Sequence, residues 1–327
     1  MSPDPKVTIV IPVYNGSNYL REAIDSALAQ TYKNIEVVVV NDGSQDGGKT
    51  EEIARSYGDS IRYFNKANGG VASALNRGIQ EMKGEYFSWL SHDDIYYPNK
   101  VEIQIEHLKN WKDTVILYGD YDIMQDNVHI SITHLIPHIE PADFPVGLIT
   151  GHPIHGCTAL VPRICFEDIG LFNEKLITTQ DYDLWFRMAK KYLFIHIPKV
   201  IICSRRHDEQ SSNVMKTLHE KEVDELYVRC LNGLFNHDIM HLSGKGRDML
   251  AFECYLNLSP RGFYTAAKRA KYFFNRFTRF PKRYLGAPYR SIWVSFSISR
   301  SKLYLKKLLG PKMVSYLKGI RNFWRGR

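Results

Sequence analysis

Acidic side chains follow two apolar runs in this sequence, where they could bind a cation. Asp93 and Asp94 follow the run Tyr86–Leu90, and Asp42 follows the run 35–40. Open α/β sheets bind ligands at the carboxyl ends of their strands. Carboxylates there can coordinate a divalent cation, which in turn binds phosphate oxygens. The alternative is structural, because Asp93 or Asp94 could cap a helix that begins near Pro98.

Two side chains at the same predicted edge could bind a planar base. The ring of Tyr14 could stack on a base, and Asp42 could accept a hydrogen bond from an imide N–H. Each also has an ordinary explanation, since Asn41-Asp42-Gly43 is a common turn sequence and Tyr14 is one of 20 tyrosines. The sequence has no dinucleotide-binding glycine motif after the first strand and no P-loop, so phosphate binding would depend on metal and side chains.

A parallel sheet must position these residues, and the sequence predicts one. Apolar, β-branched runs alternate with segments of helical periodicity, which is typical of βαβ units. The predicted strands cover residues 6–13, 35–40, 61–64, 86–90, 115–124, 157–161, 194–197 and 200–203, and the predicted helices cover 17–30, 50–57, 71–82, 101–111 and 182–191. Residues 127–150 are predicted to be irregular, as a flap on the acceptor side, and the sequence from about residue 208 to be mostly helical.

The charge distribution separates an acidic body from a basic tail. Residues 260–327 contain 18 Lys and Arg and no Asp or Glu, whereas the rest contains 25 basic and 35 acidic residues. Such a tail indicates a polyanionic partner, either a membrane surface or nucleic acid. Five scattered cysteines without a C-x-x-C argue against a disulfide scaffold or zinc site. We expect no signal peptide and no membrane span, since the longest uncharged run, 144–162, contains histidines, prolines and glycines.

Several ordered motifs resemble those of the family 2 glycosyltransferases. The motifs are Val7–Gly16, Val38–Ser44, Asn68–Gly78, Trp89–Asp94, Thr179–Trp185 and Arg206–Ser211. The resemblance implies an inverting enzyme that uses a nucleotide-diphosphate sugar. It implies an α/β fold of GT-A type, with a mostly parallel sheet flanked by helices and a basic helical C-terminal region. We expect a catalytic domain over residues 1–212 and a helical region over 213–327.

The resemblance also implies roles for individual residues. Asp181 matches the catalytic base, and Asp93 matches the metal-binding acid of the D-x-D motif. His207 lies where some members place a histidine near the metal or diphosphate. The implied donor-binding residues are Pro12, Tyr14, Asp42, Asn76, Ser91, His92 and Asp93, with Pro12 and Tyr14 beside the base and Asp42 bonded to it. The implied cofactor is Mn²⁺ or Mg²⁺.

This sequence departs from the family pattern at three positions. Ser91 replaces the first acid of the D-x-D motif, Leu75 replaces an arginine near the base, and Gln180 replaces the commoner glutamate. These changes affect the expected identity of the nucleotide and the strength of metal binding more than the expected class of reaction. Asp94 is expected to cap or brace the next turn.

Alternatives remain open for other polar residues. Asp181 or Asp183 could be a helix N-cap, with Asp183 the better candidate for that role. Instead of binding metal, His207 could bind the diphosphate by charge, together with Arg205 and Arg206. His152 and His155 could contact the acceptor or be plain loop residues.

The resulting prediction is a hexosyltransferase-type enzyme that uses a UDP-sugar, with thymine or guanine as alternative bases. The acceptor would be a hydroxyl of a glycan or lipid-linked intermediate in cell-surface polysaccharide biosynthesis. The basic tail predicts a cytoplasmic protein bound peripherally to the inner membrane face, and we expect no nucleic-acid partner. The alternatives for the tail are packing on the body or oligomer formation. The alternative functions are a sugar-phosphate nucleotidyltransferase, whose glycine-rich basic loop is missing at Pro12–Gly16, and a non-catalytic nucleotide-sugar-binding protein.

Overall fold

The computed structural model describes residues 4–125, 131–152, 154–207, 215–236 and 246–277. Within these ranges the chain forms nine strands, ten α-helices and three short 3₁₀ helices. The strands are β1 (Val7–Val13), β2 (Ile35–Asn41), β3 (Arg62–Asn65), β4 (Tyr86–Trp89), β5 (Ile95–Tyr96), β6 (Val115–Gln125), β7 (Ser131–His134), β8 (Leu160–Pro162) and β9 (Leu193–Arg206). The helices are α1 (Leu20–Leu28), α2 (Lys49–Arg55), α3 (Gly70–Glu81), α4 (Lys100–Leu108), α5 (Phe144–Thr150), α6 (Arg163–Ile169), α7 (Gln180–Met188), α8 (Lys216–Asn236), α9 (Arg247–Leu258) and α10 (Tyr264–Phe277).

One sheet organises the molecule, and its N-terminal half is parallel. The strand order is β3-β2-β1-β4-β8-β6-β9-β5, and β7 pairs with β6. Neighbours among β3, β2, β1 and β4 are parallel. Every residue of β1 is buried, which fits a central strand covered on both faces. Val13 lies beside Asn41, and Asn41 beside Asn65, so β1, β2 and β3 end at the same edge. The predicted α/β fold is confirmed.

The other half of the sheet contains both parallel and antiparallel strands, which pair with strands distant in sequence. β8 runs antiparallel to β4 and to β6, whereas β9 runs parallel to β6. The two short strands predicted at 194–197 and 200–203 form one 14-residue strand, β9. Its register with β6 shifts where Ile197 pairs with Gly119 and Val200 with Asp120. Pro198 lies in this irregularity and has no N–H to donate, so the sequence resembled a strand end.

Two local predictions were wrong. Residues 127–150 are not irregular throughout, because β7 and α5 lie within them. Six consecutive residues of α5, from Phe144 to Ile149, are buried, and the helix ends at Gly151 with φ of 97°. The strand predicted at 157–161 begins later, because Gly156–Thr158 is a 3₁₀ turn.

Helix α10 is joined to α8 by hydrogen bonds. The carboxylate of Asp224 on α8 accepts hydrogen bonds from the backbone N–H groups of Thr265 (3.1 Å) and Ala266 (2.8 Å), which begin α10. Residues Met1–Phe273 form one compact unit, and Phe274–Arg327 form a second. The division predicted after residue 212 stays a prediction. Among the described helices, none has the length and apolar character needed to cross a bilayer.

Candidate functional site

The loop after β1 presents an aromatic ring at the carboxyl edge of the sheet. Tyr14 is 43% exposed, whereas Pro12 is buried. Asn15 has φ of 50°, a left-handed conformation that asparagine tolerates. Its backbone N–H donates to Ser44 Oγ at 2.9 Å, and its side-chain oxygen accepts from the N–H of Gln45 at 2.7 Å. These bonds join the loops after β1 and β2 beneath an accessible ring.

Asp42 follows β2 and fixes the loop before α3. Its carboxylate is 3% exposed and accepts a hydrogen bond from Lys66 Nζ at 2.7 Å. It also accepts from the backbone N–H groups of Gly69 at 3.0 Å and Gly70 at 2.7 Å. Gly43, the next residue, has φ of 72°, and a Cβ there would lie 2.8 Å from Asn68 N, so this turn requires glycine. The bond predicted between Asp42 and a base stays a prediction.

A polar cavity of about 440 Å³ lies between the loops that follow β2 and β3. Its lining residues are Asn41, Gly43, Ser44, Asp46, Gly48, Glu51, Asn65, Lys66 and Ala67. Lys66 contributes a cation, and the same amine bonds to Asp42. The cavity therefore adjoins the Asp42 carboxylate at the carboxyl edge of the parallel strands.

The two predicted metal ligands lie in contact. His207 Nε2 is 3.0 Å from Asp93 Oδ2, although the residues are far apart in sequence. Asp93 follows β4, and His207 follows the last residue of β9. Burial alone would raise the pKa of Asp93, but the nearby His92 and the bond to His207 outweigh it and lower the pKa. The site thus presents a carboxylate and an imidazole side by side.

Asp94 braces the turn from inside. It is 3% exposed, and Oδ1 accepts the backbone N–H of Arg205 at 3.0 Å. Burial, and then the charge of Asp93, raise the pKa of Asp94 to about 7. Helix α4 begins at Lys100, with Asn99 at its N-cap. Neither Asp93 nor Asp94 is therefore the cap of that helix.

A group of polar atoms lies behind the Asp93–His207 pair. Ligating atoms of Asp94, His155 and Cys157 all lie within 4.8 Å of one another. Burial raises the pKa of the Cys157 thiol well above its ordinary value and lowers that of His155 to about 4. Ser204 Oγ lies 3.1 Å from His155 Nε2. This group can form internal hydrogen bonds while its thiol and imidazole stay uncharged.

Ser91 and His92 lie at the same turn as Asp93. Ser91 Oγ is 3.3 Å from Cys157 Sγ, so the residue that replaces the usual acid contacts the buried thiol. The ring of His92 lies against the loop after β1, because a Cβ on Gly16 would be 2.5 Å from His92 Cδ2. Burial lowers the pKa of His92. Donor contacts of Ser91 and His92 stay predictions.

Asn76, implied to be donor-binding, forms hydrogen bonds with the segment before α7. Its side-chain oxygen accepts the N–H of Phe172 at 2.9 Å, and its Nδ2 donates to the Phe172 oxygen at 3.0 Å and to Glu174 Oε1 at 2.8 Å. These bonds use both functional groups of the amide, which is 4% exposed. Asn76 therefore ties α3 to the segment before α7, and its role toward the donor stays a prediction.

Asp181 lies in the first turn of α7, after Thr179 at the N-cap. Burial raises the pKa of Asp181 to about 6, and its Oδ1 accepts the N–H of Tyr182 at 2.8 Å. Asp183, expected to cap the helix, instead bonds to Arg187 Nε at 2.9 Å. That expectation was wrong because α7 begins earlier than predicted, which moves Asp183 past the cap position.

One loop links the start of α7, where Asp181 lies, to Asp94. The hydroxyl of Tyr182 accepts the N–H of Ile154 at 3.3 Å. The next residue, His155, has its Nε2 3.8 Å from Asp94 Oδ2. The ring of Tyr121 lies 5.0 Å from the His155 ring. Residues 154–157 therefore connect the start of α7 with the turn that contains Asp93.

The two loop histidines have different environments. His152 is 9% exposed and lies 3.0 Å through Nε2 from the Tyr118 hydroxyl, and burial lowers its pKa to about 4. It is thus an interior residue rather than a plain loop residue. His155, by contrast, lies beside Asp94 at the site.

The sequence did not reveal the roles of two charged residues, Lys66 and Glu222, and it suggested a different role for a third, Arg205. Arg205, considered for diphosphate binding, is 1% exposed; its guanidinium lies over the Tyr19 ring at 4.3 Å and bonds to Glu22 and the Asp93 carbonyl. Lys66 pairs with Asp42. Glu222 on α8 bonds to the residues before α7. Only Lys66 had a usable signal, a cation directly after a strand end.

Comparisons with known proteins show which family the chain resembles in sequence. Residues 8–170 match the sequence model of the family described as "Glycosyl transferase family 2". A protein of Rickettsia typhi named "uncharacterized glycosyltransferase" is 49% identical over 252 residues, which cover 76% of this chain and 78% of that protein. A similarly named protein of Rickettsia felis is 50% identical over 73% of this chain. The chain spans only 40% of that relative's length.

Solved structures show the same fold. S. aureus TarS in complex with UDP-GlcNAc aligns with a TM-score of 0.60 at 17% identity, covering 78% of this chain and 73% of that chain. The mannosyltransferase PcManGT from Pyrobaculum calidifontis, in complex with GDP-Man and Mn²⁺, aligns with a TM-score of 0.55 at 18% identity, covering 100% of this chain and 89% of that chain.

Proposed function

This chain belongs to glycosyltransferase family 2, and on that premise we propose that it transfers a sugar, with inversion, from a nucleotide-diphosphate sugar to a hydroxyl group. The acceptor would be a glycan or a lipid-linked intermediate of cell-surface polysaccharide. The observation that carries the proposal is the loop 154–157, which joins the start of α7 to Asp94, the residue next to the Asp93–His207 pair. A candidate base and a candidate metal site thereby share one edge of the sheet.

The donor would lie along this edge, with its base near Tyr14 and Asp42. Tyr14 is accessible for stacking, and Lys66 adds a cation beside the adjoining cavity. S. aureus TarS was solved with UDP-GlcNAc and PcManGT with GDP-Man, so both uracil and guanine merit a test. We favour a UDP-sugar as the donor.

Asp93 and His207 would hold the divalent cation. Carboxylates suit Mg²⁺ and Mn²⁺ alike, whereas an imidazole ligand suits a transition metal better, so this pair favours Mn²⁺. The group Asp94, His155 and Cys157 fits such a cation less well, because burial keeps the thiol protonated. When bound, the cation would stabilise negative charge on the departing diphosphate as a Lewis acid.

Asp181 would act as the general base. It would take the proton of the acceptor hydroxyl as that oxygen forms a bond to the anomeric carbon. The bond from this carbon to the diphosphate breaks on the opposite face, and the nucleoside diphosphate leaves with the electron pair. A pKa raised to about 6 by burial suits a base that is ionised near neutral pH and still basic enough to accept a proton.

We also propose contact with an anionic membrane surface. Helix α10 exposes Tyr264, Tyr272, Lys268 and Lys271 on its solvent side, a combination typical of interfacial helices. The remainder of the basic tail, residues 278–327, lies outside the described residues.

Thermal shift with nucleotide sugars tests the donor and the metal together. A ligand that binds only the native state at 100 times its Kd adds about 2.7 kcal/mol to the free energy of unfolding. We expect UDP-N-acetylglucosamine with Mn²⁺ to raise Tm more than GDP-mannose does. Asp93→Asn should abolish the Mn²⁺-dependent part of the shift. Equal shifts with and without Mn²⁺ would contradict the metal site, and no shift with any UDP-, dTDP- or GDP-sugar would contradict the donor site.

A further inference from the structure

A buried carboxylate on α8 binds the three residues that precede α7. Glu222 Oε1 accepts the backbone N–H of Ile177 at 3.0 Å. Its Oε2 accepts the N–H of Thr178 at 2.9 Å and the hydroxyls of Thr178 at 2.8 Å and Thr179 at 3.3 Å. Glu222 lies outside residues 8–170, the region that matches the family model.

The chemistry of Glu222 is that of an ionised acceptor. The residue is 8% exposed, and burial alone would raise its pKa. The hydrogen bonds from Ile177, Thr178 and Thr179 outweigh burial and lower the pKa. Hydrogen bonds to a charged acceptor are roughly twice as strong as neutral ones and fix geometry closely. The segment 177–179 is therefore held by a charge that remains in place at neutral pH.

Thr179 shows how this contact determines the start of the helix. It occupies the N-cap of α7, yet its side chain caps no backbone N–H of the helix. Its hydroxyl bonds to Glu222 instead. Asp181 follows two residues later, in the first turn. The position of the Asp181 carboxyl is thus set by the cap residue, which α8 holds in place.

The other end of the same segment is held from α3. Asn76 bonds to the backbone of Phe172 and to the side chain of Glu174. Residues 172–179 are therefore anchored at both ends by buried side chains on two helices that are distant in sequence. At the α8 anchor, the side chain of Ile177 is 50% exposed, so packing alone does not fix the segment near α7.

We propose that Glu222 is a positioning residue for the reaction, which orients Asp181 through the segment 177–179. The inference rests on the proposed role of Asp181 as the base. Displacement of a catalytic group by about 1 Å can lower a rate by about 10²-fold. Loss of the Glu222 bonds should therefore lower kcat and leave the affinity for the donor nearly unchanged.

The test compares Glu222→Gln with Glu225→Gln in the full-length chain. Glutamine keeps the volume of glutamate but places an N–H donor against the N–H groups of the segment, whereas Glu225 is exposed on the same helix. The readout is nucleoside diphosphate release from UDP-N-acetylglucosamine and from GDP-mannose, each with Mn²⁺. We expect Glu222→Gln to lower kcat about 10- to 100-fold with KM changed less than about twofold. Glu225→Gln should match the unmodified chain.

Two further readouts separate positioning from loss of folded protein. In the unmodified chain, the acidic limb of the plot of kcat against pH should lie near pH 6. In Glu222→Gln this limb should move down toward the ordinary pKa range of aspartate, because a looser turn admits water to Asp181. The amides of Ile177 and Thr178 should exchange hydrogen at least about tenfold faster. If the variant merely contained less folded protein, kcat would fall while the acidic limb stayed at the same pH. That result would overturn the proposal.

Asp181→Asn, measured in parallel, distinguishes the two ideas. If Asp181→Asn retains the kcat of the unmodified chain, the proposed base is wrong, and the role of Glu222 is wrong with it. If Asp181→Asn is inactive while Glu222→Gln keeps the unmodified kcat and pH limb, only the positioning role is overturned. Loss of kcat in both variants, with a shifted limb and faster amide exchange in Glu222→Gln, is the expected result.

Discussion

Asp181 is a partly exposed carboxylic acid in the first turn of α7, and its partial burial raises its pKa to about 6. A general base must be ionised to accept a proton, so the active fraction rises with pH through this value. We therefore expect kcat to be constant near neutral pH and to fall about tenfold per pH unit well below pH 6. The measurement is kcat from pH 5 to 8 with saturating donor and Mn²⁺. An acidic limb near pH 4 would contradict the burial of this group.

The neighbouring Asp183 provides the control at the same scale. Asp181→Asn should lower kcat by roughly 10²–10⁴-fold, the usual contribution of a positioned base. Asp183→Asn removes one partner of Arg187, which keeps its bonds to the carbonyls of Ile169 and Leu171. It should change kcat by less than about twofold, since a partly exposed ion pair contributes at most about 1 kcal/mol.

At the level of single residues, the sequence indicated which residues lie at the candidate site better than it indicated their burial and contacts. The motifs placed Asp93 and His207 together, and the structure joins them at 3.0 Å. The sequence could not show that Arg205 is buried over the Tyr19 ring, because that contact depends on β9 passing beside α1. It also misassigned Asp183, since the cap position depends on where α7 begins.

At the level of elements, a buried lysine lies between α4 and β4. Lys100 is fully buried, and its Nζ donates to Ser88 Oγ at 2.8 Å and to Gln104 Oε1 at 2.9 Å. The amine also lies over the Tyr96 ring at 4.2 Å. Burial lowers the pKa of Lys100 to about 7, and the hydrogen-bond partners described for the amine are neutral. The contact between α4 and β4 should therefore depend on pH.

The stability of the chain should show this dependence. Unfolded Lys100 keeps its proton up to its ordinary pKa, whereas the folded residue loses it above about pH 7. The unfolded state then binds more protons, so the free energy of unfolding rises with pH at up to about 1.4 kcal/mol per unit. The measurement is urea unfolding at pH 7 and 8.5, for the unmodified chain and Lys100→Met.

Lys100→Met serves as the reference in that experiment because it cannot titrate. We expect the difference in unfolding free energy between the two proteins to change by on the order of 1 kcal/mol between the two pH values, in favour of the unmodified chain at the higher pH. Other buried groups titrate alike in both proteins and cancel. A constant difference would mean that Lys100 keeps an ordinary pKa.

Elements with local signals were predicted well, and elements defined by pairing were not. The apolar runs and amphipathic helices of the parallel half match the structure closely, because each side chain pattern reports its own burial. β5, with two residues, and β7 exist through pairing with β9 and β6, and nothing in their own sequence specifies a partner. α6 was missed because only Cys165 and Phe166 among its seven residues are buried.

At the scale of the whole molecule, the candidate site depends on a helix beyond the region that matches the family. α8 holds the start of α7 through Glu222, and α10 begins on Asp224 of α8. The sequence could not predict either contact, because carboxylates on a polar helix face look solvated until the fold brings a partner to them. Helix α8 therefore contributes to the geometry of the candidate site, and α10 is joined to α8.

The basic tail gives the last prediction, which concerns where the whole chain binds. Residues 278–327 contain 13 Lys and Arg and no acid, and each basic residue near an anionic surface contributes about 1 kcal/mol. The full chain should bind vesicles of phosphatidylcholine and phosphatidylglycerol at about 0.1 M salt and release them at about 0.5 M, where charges are screened. A chain ending at Phe277 should bind far less, while its thermal shift with UDP-N-acetylglucosamine and Mn²⁺ stays unchanged. Equal partitioning of the two chains would show that the tail packs on protein instead, because only a surface-bound tail makes membrane affinity depend on its charge.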